Sequence, residues 1–339
     1  MHVYRDEDAD LALIRGRRVA VIGYGNQGRA QALNLRDSGV AVVVGLPDGS
    51  HSRARASTDG FDVMTAAQAS RKADLVVMLA ADESHGRIYG EAVAPNLRSG
   101  GTLLFAHGLS IRFGLIEPRA DLDVVLVAPK GPGTALRREY EQGGGLIALF
   151  AVHHDSSGLA EATALSYAAA IGSGRVGILA TSFAEECEAD LFNEQAVLWG
   201  AIPELIHAGF ETLVDAGFAP EIAYFECLTE VKLIADLLYE RGIAGMREAI
   251  SNTAELGALK GGTRIVTADT RTEMRRILRE VRSGSFAREL IADAEAGYPR
   301  LKSSRAKAAA HPIEEVGARL RALATGEGAG GGDGSSSRT

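Results

Sequence analysis

A glycine-rich turn between an apolar run and a helical segment constrains the fold of this chain more than any other feature. Residues 17–23 read Arg-Arg-Val-Ala-Val-Ile-Gly, and residues 23–28 read Gly-Tyr-Gly-Asn-Gln-Gly. In Gly-x-Gly-x-x-Gly, the first glycine permits a tight turn, the second lets a pyrophosphate approach the backbone, and the third lets helix pack on strand. The pattern predicts a dinucleotide-binding βα unit. The alternative is a similar turn that binds no ligand.

Further apolar runs predict an α/β fold with a doubly wound, Rossmann-like parallel sheet. They lie at residues 40–45, 74–79, 102–106, 124–128 and 146–150. Polar residues follow three of these runs: Asp82-Glu83-Ser84-His85, His107 and Lys130-Gly131-Pro132-Gly133. A single histidine or lysine at a strand end is usually solvated. Three such ends together predict a binding crevice, because ligands of open α/β sheets bind beyond the carboxyl ends of the strands.

The end of the second predicted strand bears on the choice of cofactor. It is Gly45, whereas NAD-binding folds place an acidic residue there to hold the ribose hydroxyl. The loop that follows contains Ser50, Ser52 and Arg53, whose hydroxyls and guanidinium suit a 2′-phosphate, while Asp48 opposes one. These residues predict NADPH over NADH. A polar surface loop without phosphate contacts is the alternative.

The composition changes near Ser182, after which helical patterns replace the strands. We therefore expect a dinucleotide-binding domain at residues 1–182 and a helical domain at residues 183–325. Residues 326–339 are rich in glycine and serine, which cannot bury apolar surface, so we expect a disordered tail.

Two acidic pairs lie in the helical half, Asp190 with Glu194 and Glu226 with Glu230. The i, i+4 spacing places each pair on one helix face. Like charges at this spacing repel, and the apolar residues around them would make burial costly. Two magnesium ions would remove that penalty, because carboxylate oxygens suit Mg²⁺. The alternative is two amphipathic helices with solvated acidic edges.

Charge and composition exclude several classes of partner. The net charge of -8 argues against nucleic acid and against an anionic membrane, which leaves small molecules and protein subunits. The sequence shows neither a signal peptide nor an apolar stretch long enough to span a bilayer, so we expect a cytoplasmic protein. Two cysteines, Cys187 and Cys227, are too few for a disulfide framework or a zinc site.

Six segments of the chain resemble ketol-acid reductoisomerase in its short, class I form, and the resemblance extends from about Val3 to Val266. The segments are residues 19–28, 105–108, 127–133, 190–198, 220–228 and 250–255. The resemblance implies magnesium-dependent alkyl migration of 2-acetolactate or 2-aceto-2-hydroxybutyrate, and then NADPH reduction to a 2,3-dihydroxy acid in isoleucine and valine biosynthesis. It also implies an all-α, knotted C-terminal domain. That domain would form homodimers, or a higher assembly of dimers, with shared active sites.

The same resemblance implies a role for individual residues. The implied ligands of two magnesium ions are Asp190, Glu194, Glu226 and Glu230. Ser251 would contact the substrate carboxylate, and the implied catalytic residues are His107, Lys130 and Glu230, the last as the candidate for proton transfer. The implied cofactor contacts are Tyr24, Gly25, Asn26, Gln27, Ser50, Ser52, Asp82, Glu83, Ser84, His85 and Gly133.

The chain departs from the family pattern at several positions near these residues. Pro47 stands where arginine is common, and His85 stands where glutamine is usual. Asn193, Trp199 and Thr229 replace a usual glycine, cysteine and histidine near the metal candidates. One alternative is therefore a paralogue that acts on another 2-hydroxy-3-oxo acid in specialised metabolism. A second is a non-catalytic dinucleotide-binding protein.

Overall fold

The computed structural model describes residues 2–325 and divides the chain into two compact units, residues 1–190 and 191–339. The expected disordered tail at residues 326–339 lies outside the described residues. The domain boundary expected after Ser182 stays a prediction. Within the described part, no helix is both long enough and apolar enough to cross a bilayer.

The first unit is built on a nine-stranded sheet with the order β1-β9-β8-β7-β6-β5-β2-β3-β4. The strands are β1 (Val3–Tyr4), β2 (Arg18–Ile22), β3 (Ala41–Gly45), β4 (Asp62–Met64), β5 (Leu75–Met78), β6 (Thr102–Phe105), β7 (Asp123–Pro129), β8 (Ala148–His154) and β9 (Ile178–Ala180). In the part of this order that runs β7-β6-β5-β2-β3-β4, every strand is parallel to its neighbours. The predicted Rossmann-like sheet is thus confirmed.

The other edge of the sheet is mixed rather than parallel throughout. β8 runs antiparallel to β7, β9 runs parallel to β8, and β1 runs antiparallel to β9. Mixed edges are common in large α/β sheets. The sequence pattern missed β1, β4 and β9, because each has only two or three residues and shows no readable alternation.

Both faces of the central strands are buried, which explains why they read as continuous apolar runs. Val19 and Val21 pack into the core on one face, whereas Ala20 and Ile22 pack into the core on the other. The helices of this unit are α1 (Leu11–Arg15), α2 (Asn26–Asp37), α3 (Ser52–Thr58), α4 (Ala66–Lys72), α5 (His85–Ile88), α6 (Leu109–Arg112), α7 (Gly133–Glu141), α8 (Ala160–Ala170) and α9 (Phe183–Asn193), the last of which crosses the unit border.

The second unit is helical in its described part, which confirms the predicted all-α character. Its helices are α10 (Ala201–Asp215), α11 (Pro220–Tyr224), α12 (Glu230–Ala249), α13 (Asn252–Ile265), α14 (Ala268–Arg282), α15 (Ser285–Glu295), α16 (Pro299–Ala309) and α17 (Pro312–Thr325). Helix α12 is broken at Gly242, which has a φ of 67° that residues with a side chain rarely adopt.

The second unit has a small core and a large exposed apolar surface. Phe210, Tyr224 and Ile313 belong to its buried cluster, which joins α10, α11 and α17. On α12 and α13, large apolar residues such as Leu233, Ile243 and Leu256 are at least 60% exposed. Helices of a single folded unit usually bury such a stripe, so these faces lack a partner within the described part of the chain.

Candidate active site

The carboxyl ends of β5, β6 and β7 bring three polar segments together, because parallel strands end at the same edge of the sheet. Asp82 follows β5, His107 follows β6 and Lys130 follows β7. Asp82 Oδ2 lies 3.8 Å from His107 Nδ1, and His107 Nε2 lies 3.7 Å from Asp190 Oδ2. The crevice that the sequence predicts therefore holds a chain of ionisable side chains.

Lys130 links two acidic residues of α9. Its Nζ donates hydrogen bonds to Glu186 Oε1 at 3.1 Å and to Asp190 Oδ1 at 2.7 Å. Burial disfavours the charge of Lys130, but the attraction of the two carboxylates outweighs burial and raises its pKa. Lys130 therefore stays charged at neutral pH and offers hydrogen-bond donors rather than a base.

Glu186 is a site residue that the sequence analysis did not single out. Its side chain is 1% exposed, and its second carboxylate oxygen accepts a hydrogen bond from the Gly108 backbone N–H at 2.9 Å. A buried carboxylate needs such partners. The available signal was its position four residues before Asp190, which extends the acidic face of that helix by one turn.

Within residues 2–325, neither ring nitrogen of His107 has a hydrogen-bond partner, although both atoms are buried. Buried polar atoms without partners are rare in folded proteins, and at such positions a ligand or water usually supplies the partner. Ligand atoms of His107, Glu186 and Asp190 all lie within 4.8 Å of one another. Two carboxylates and an imidazole fit a divalent cation or a polar substrate beside it.

The remaining metal candidates belong to the helical unit and adjoin π-helical turns. Glu194 begins the turn Glu194–Leu198. Glu226 lies in the turn Phe225–Thr229, and Glu230 begins α12 directly after it. Both Glu226 and Glu230 are exposed. Such π-helical turns are rare and often occur at functional sites.

Ser251 and Trp199 are also exposed on the helical unit. Ser251 is the N-cap of α13, where its Oγ accepts a hydrogen bond from the Ala254 N–H at 3.2 Å. The hydroxyl proton of Ser251 can still be donated, because the cap uses only a lone pair. Trp199 is 65% exposed, so it does not fill the core of this unit.

The glycine turn has the geometry that a pyrophosphate site requires. A side chain at Gly23 would collide with the backbone of Leu79 and Ala80, and one at Gly28 would collide with the Gly23 carbonyl. Around Gly25 the space where a side chain would begin is open to 4 Å. The first and third glycines therefore serve close packing, and the second leaves room for a ligand.

Tyr24 and Asn26, two of the predicted cofactor contacts, already have protein partners. Tyr24 is buried and donates a hydrogen bond to Asp59 Oδ2 at 2.8 Å. Asn26 Oδ1 accepts a hydrogen bond from the Thr134 N–H at 3.1 Å, at the start of α7. Both residues keep backbone groups at the turn, and their contacts with a cofactor stay predictions.

In the loop after β3, the Arg53 guanidinium already has two oxygen partners. Arg53 Nη1 donates to the Leu46 carbonyl at 2.9 Å and lies 3.4 Å from Asp48 Oδ1. Ser50 Oγ accepts a hydrogen bond from the Ser52 N–H at 3.3 Å. The predicted phosphate-binding residues are therefore adjacent, but Asp48 competes for the guanidinium.

The segment after β5 forms a 3₁₀ turn at Asp82–Ser84 that is closed by His85. His85 is 2% exposed, with Nε2 3.0 Å from the Ala80 carbonyl and Nδ1 2.9 Å from Ser110 Oγ. Because a carbonyl only accepts, Nε2 carries the proton and Nδ1 accepts from Ser110. Because both ring nitrogens have protein partners, His85 would contact a cofactor through its backbone. The cofactor contacts of His85, Glu83 and Ser84 stay predictions.

Two family profiles match nearly all of the described chain. The acetohydroxy acid isomeroreductase NADPH-binding domain matches residues 13–177, and the ketol-acid reductoisomerase C-terminal domain matches residues 183–325. The chain belongs to the ketol-acid reductoisomerase family. Its function is therefore that of a ketol-acid reductoisomerase, which rearranges and reduces an acyloin acid in branched-chain amino acid biosynthesis with Mg²⁺ and NAD(P)H.

Solved structures agree with this assignment. An NADH-preferring ketol-acid reductoisomerase from an uncultured archaeon is 43% identical, covers 95% of this chain and 99% of its own, and superposes with a TM-score of 0.93. A putative oxidoreductase from Jannaschia sp. CCS1 is 16% identical over 78% of this chain and 97% of its own, with a TM-score of 0.59. The second likeness shows the fold alone, whereas the first supports the short form of the reductoisomerase.

Proposed function

We propose that this ketol-acid reductoisomerase uses NADPH and two magnesium ions, and that its metal site lies beside Lys130. The observation that carries this proposal is the pair of hydrogen bonds from Lys130 Nζ to Glu186 and Asp190, next to a histidine without partners. Alkyl migration requires the substrate hydroxyl to lose its proton and the adjacent carbonyl to be polarised. Magnesium, when bound, supplies that polarisation as a Lewis acid.

Four carboxylates would hold the two ions: Asp190, Glu194, Glu226 and Glu230. Lys130 fixes the orientation of Asp190 and offsets part of its charge, so that the carboxylate is preorganised for a cation. Glu186 fixes Lys130 in turn and is itself held by the Gly108 N–H. The carboxylate of Asp190 is therefore already oriented before a metal binds.

The remaining polar groups act on the substrate. Glu230 would accept the hydroxyl proton, and the exposed hydroxyl of Ser251 would donate a hydrogen bond to the substrate carboxylate. His107 has both ring nitrogens available for a polar ligand between Asp82 and Asp190. A bound nicotinamide supplies the hydride for reduction of the carbonyl.

NADPH is the proposed cofactor because β3 ends in Gly45, without an acidic residue that would hold the ribose hydroxyl. Ser50, Ser52 and Arg53 would then contact the 2′-phosphate. The ion pair of Arg53 with Asp48 makes the preference a small one, since the phosphate has to compete with a carboxylate. The archaeal relative that prefers NADH is consistent with a small difference between the cofactors.

The active enzyme is proposed to be a homodimer, or an assembly of dimers, with a knotted helical domain and shared sites. Asp190 and Glu194 would come from one chain, and Glu226, Glu230 and Ser251 from its partner. The exposed carboxylates of Glu226 and Glu230 and the uncovered apolar faces of α12 and α13 support this arrangement. The cytoplasmic location stays a prediction.

The test is turnover of 2-acetolactate by the purified protein, followed by oxidation of NADPH with magnesium and with a chelator. We expect magnesium-dependent oxidation that falls to background with the chelator and returns when magnesium is restored. The same assay with NADH should give a lower kcat/KM. Oxidation of NADPH that does not require magnesium would contradict the proposed metal site.

A further inference from the structure

Three buried or half-buried polar side chains connect the interior of the first unit to the segment that carries Lys130. Tyr167 on α8 donates a hydrogen bond to Gln31 Oε1 on α2 at 2.7 Å. Gln31 Nε2 donates to Gln27 Oε1 at 3.1 Å, and Gln27 Nε2 donates to the Gly131 carbonyl at 2.8 Å. We call Tyr167, Gln31 and Gln27 the relay.

The Gly131 carbonyl, at one end of the relay, determines the direction of every hydrogen bond in it. The Gly131 carbonyl can only accept, so Gln27 must turn its amide N–H₂ toward it and its carbonyl toward Gln31. Gln31 must then present its own N–H₂ to Gln27 and its carbonyl to Tyr167, which has to donate. Burial raises the pKa of Tyr167, so its hydroxyl keeps the proton that it donates.

Burial makes the relay costly to break at Tyr167 and Gln31. Tyr167 and Gln31 are both fully buried, and a buried polar group that loses its partner costs about 1–3 kcal/mol. Removal of the Tyr167 hydroxyl therefore leaves the Gln31 carbonyl without a partner. If the Gln31 amide turns to present a different group, it loses its hydrogen bond to Gln27.

The relay ends beside the candidate metal site. Gly131 follows Lys130, whose backbone N–H donates to the Ile147 carbonyl at 2.8 Å. A side chain at Gly133 would collide with the Asn26 carbonyl, so the segment after Lys130 packs directly on the first turn of α2. The Gln27 side chain supplies the hydrogen bond next to Lys130, which fixes the backbone from which its Nζ reaches Glu186 and Asp190.

We propose that Tyr167 and Gln31 are positioning residues of the reductoisomerase, which act through Gln27 and Gly131 to set the position of Lys130. The relay also connects the glycine turn to the edge of the sheet that carries Lys130, because Gln27 lies in the glycine turn and donates a hydrogen bond to the Gly131 carbonyl. The proposal rests on the proposed role of Lys130 and adds two residues that touch neither metal nor cofactor. Their effect falls on kcat rather than on cofactor binding.

Two variants and a matched control test the relay. Tyr167→Phe and Gln31→Met each remove a hydrogen-bonding group with little change in volume. Tyr140→Phe is the control. The Tyr140 hydroxyl lies 2.8 Å from Ser38 Oγ, and Ser38 caps the C-terminal end of α2, whereas the glycine turn lies at its N-terminal end. We would measure kcat and KM on 2-acetolactate, the Kd of NADPH, and the melting temperature of each variant.

We expect Tyr167→Phe and Gln31→Met each to lower kcat by about tenfold, as does loss of groups that orient a metal site. The double variant should also lose about tenfold rather than about a hundredfold, because both changes break one relay. The Kd of NADPH should change by less than kcat does in all of them, because none of the variants alters a residue of the glycine turn. Tyr140→Phe should keep its kcat even if its melting temperature falls.

A wild-type kcat in Tyr167→Phe would overturn the relay, and so would equal losses of kcat in Tyr167→Phe and Tyr140→Phe at equal melting temperature. Additive losses in the double variant would also contradict it. Lys130→Met separates this proposal from the one on which it rests. If Lys130→Met lowers kcat while Tyr167→Phe keeps the wild-type kcat, the relay fails and the role of Lys130 stands. A wild-type kcat in Lys130→Met would contradict both proposals.

Discussion

Lys130 Nζ lies 2.7 Å from Asp190 Oδ1, although the two residues are sixty positions apart in the chain. Lys130 follows the central strand β7 and Asp190 lies near the end of α9, so the fold of the first unit alone creates this contact. The proximity of a lysine that stays charged explains how Asp190 and Glu186 share one corner of the crevice before a cation is added.

The first prediction concerns Lys130. Lys130→Met removes the charge that orients Asp190 and leaves Glu186 buried without its cationic partner. We expect kcat on 2-acetolactate to fall by about ten- to a hundredfold, while NADPH binding is kept. Steady-state kinetics and fluorescence titration of NADPH measure the two effects, with Lys307→Met as a surface control. An unchanged kcat would show that the contact is structural only.

The second prediction concerns the metal ligands. Asp190→Asn and Glu226→Gln should each abolish magnesium-dependent turnover, because hard divalent cations require charged oxygen ligands. Both variants should still bind NADPH, since the glycine turn is untouched. Calorimetric titration with magnesium gives an independent reading, and Glu240→Gln serves as a control at an exposed glutamate of α12. Substantial turnover by Asp190→Asn would show that Asp190 is not a metal ligand.

The third prediction concerns the choice of cofactor. Asp48→Asn releases Arg53 from its carboxylate partner and removes a negative charge from the loop that would meet the 2′-phosphate. The ratio of kcat/KM for NADPH to that for NADH should rise about two- to fivefold, because exposed charges interact by about 0.2–1 kcal/mol. Asp62→Asn should leave the ratio unchanged. A falling ratio in Asp48→Asn would contradict the proposed phosphate contact.

The fourth prediction concerns acid stability. Burial lowers the pKa of His85 against the opposing pull of Asp82, so the native ring stays neutral where the unfolded ring begins to bind a proton near pH 6.5. Because the unfolded state then binds more protons, stability is lost as the pH falls below that value.

Urea unfolding at pH 8 and pH 5.5 measures this effect. His85→Gln should lose less stability between these two pH values than the wild-type protein, whereas His51→Gln should behave like the wild type because His51 is exposed. If the free energy of unfolding of His85→Gln fell as steeply as that of the wild type, protonation of His85 would not be the cause.

The fifth prediction concerns the shared site. An Asp190→Asn chain and a Glu226→Gln chain should each be inactive alone, since each spoils every site of its own homodimer. When the two are unfolded together and refolded, a mixed dimer has one site with both changes and one site intact. Activity should therefore reappear in the refolded mixture. A mixture that stays inactive although it folds would argue that each chain builds its own site.

Local pattern predicted the glycine turn, the central strands and the polar residues at their ends, because spacing within one element sets these features. It missed the partners of Lys130, since a contact between Lys130 and Glu186 depends on how β7 and α9 pack. The competition of Asp48 for Arg53 was also invisible, because the sequence does not reveal which acceptor a flexible guanidinium takes. The antiparallel placement of β8 likewise depends on pairing rather than on alternation.

The most direct test of the central claim follows one carbon atom through the reaction. 2-Acetolactate labelled with ¹³C in the methyl group on C2 is incubated with the protein, magnesium and NADPH, and the product is examined by NMR. We expect a 2,3-dihydroxy acid with the labelled methyl on C3, because the alkyl group migrates before the carbonyl is reduced. A reduced product that keeps the label on C2 would show a simple ketone reductase and would contradict the reductoisomerase assignment.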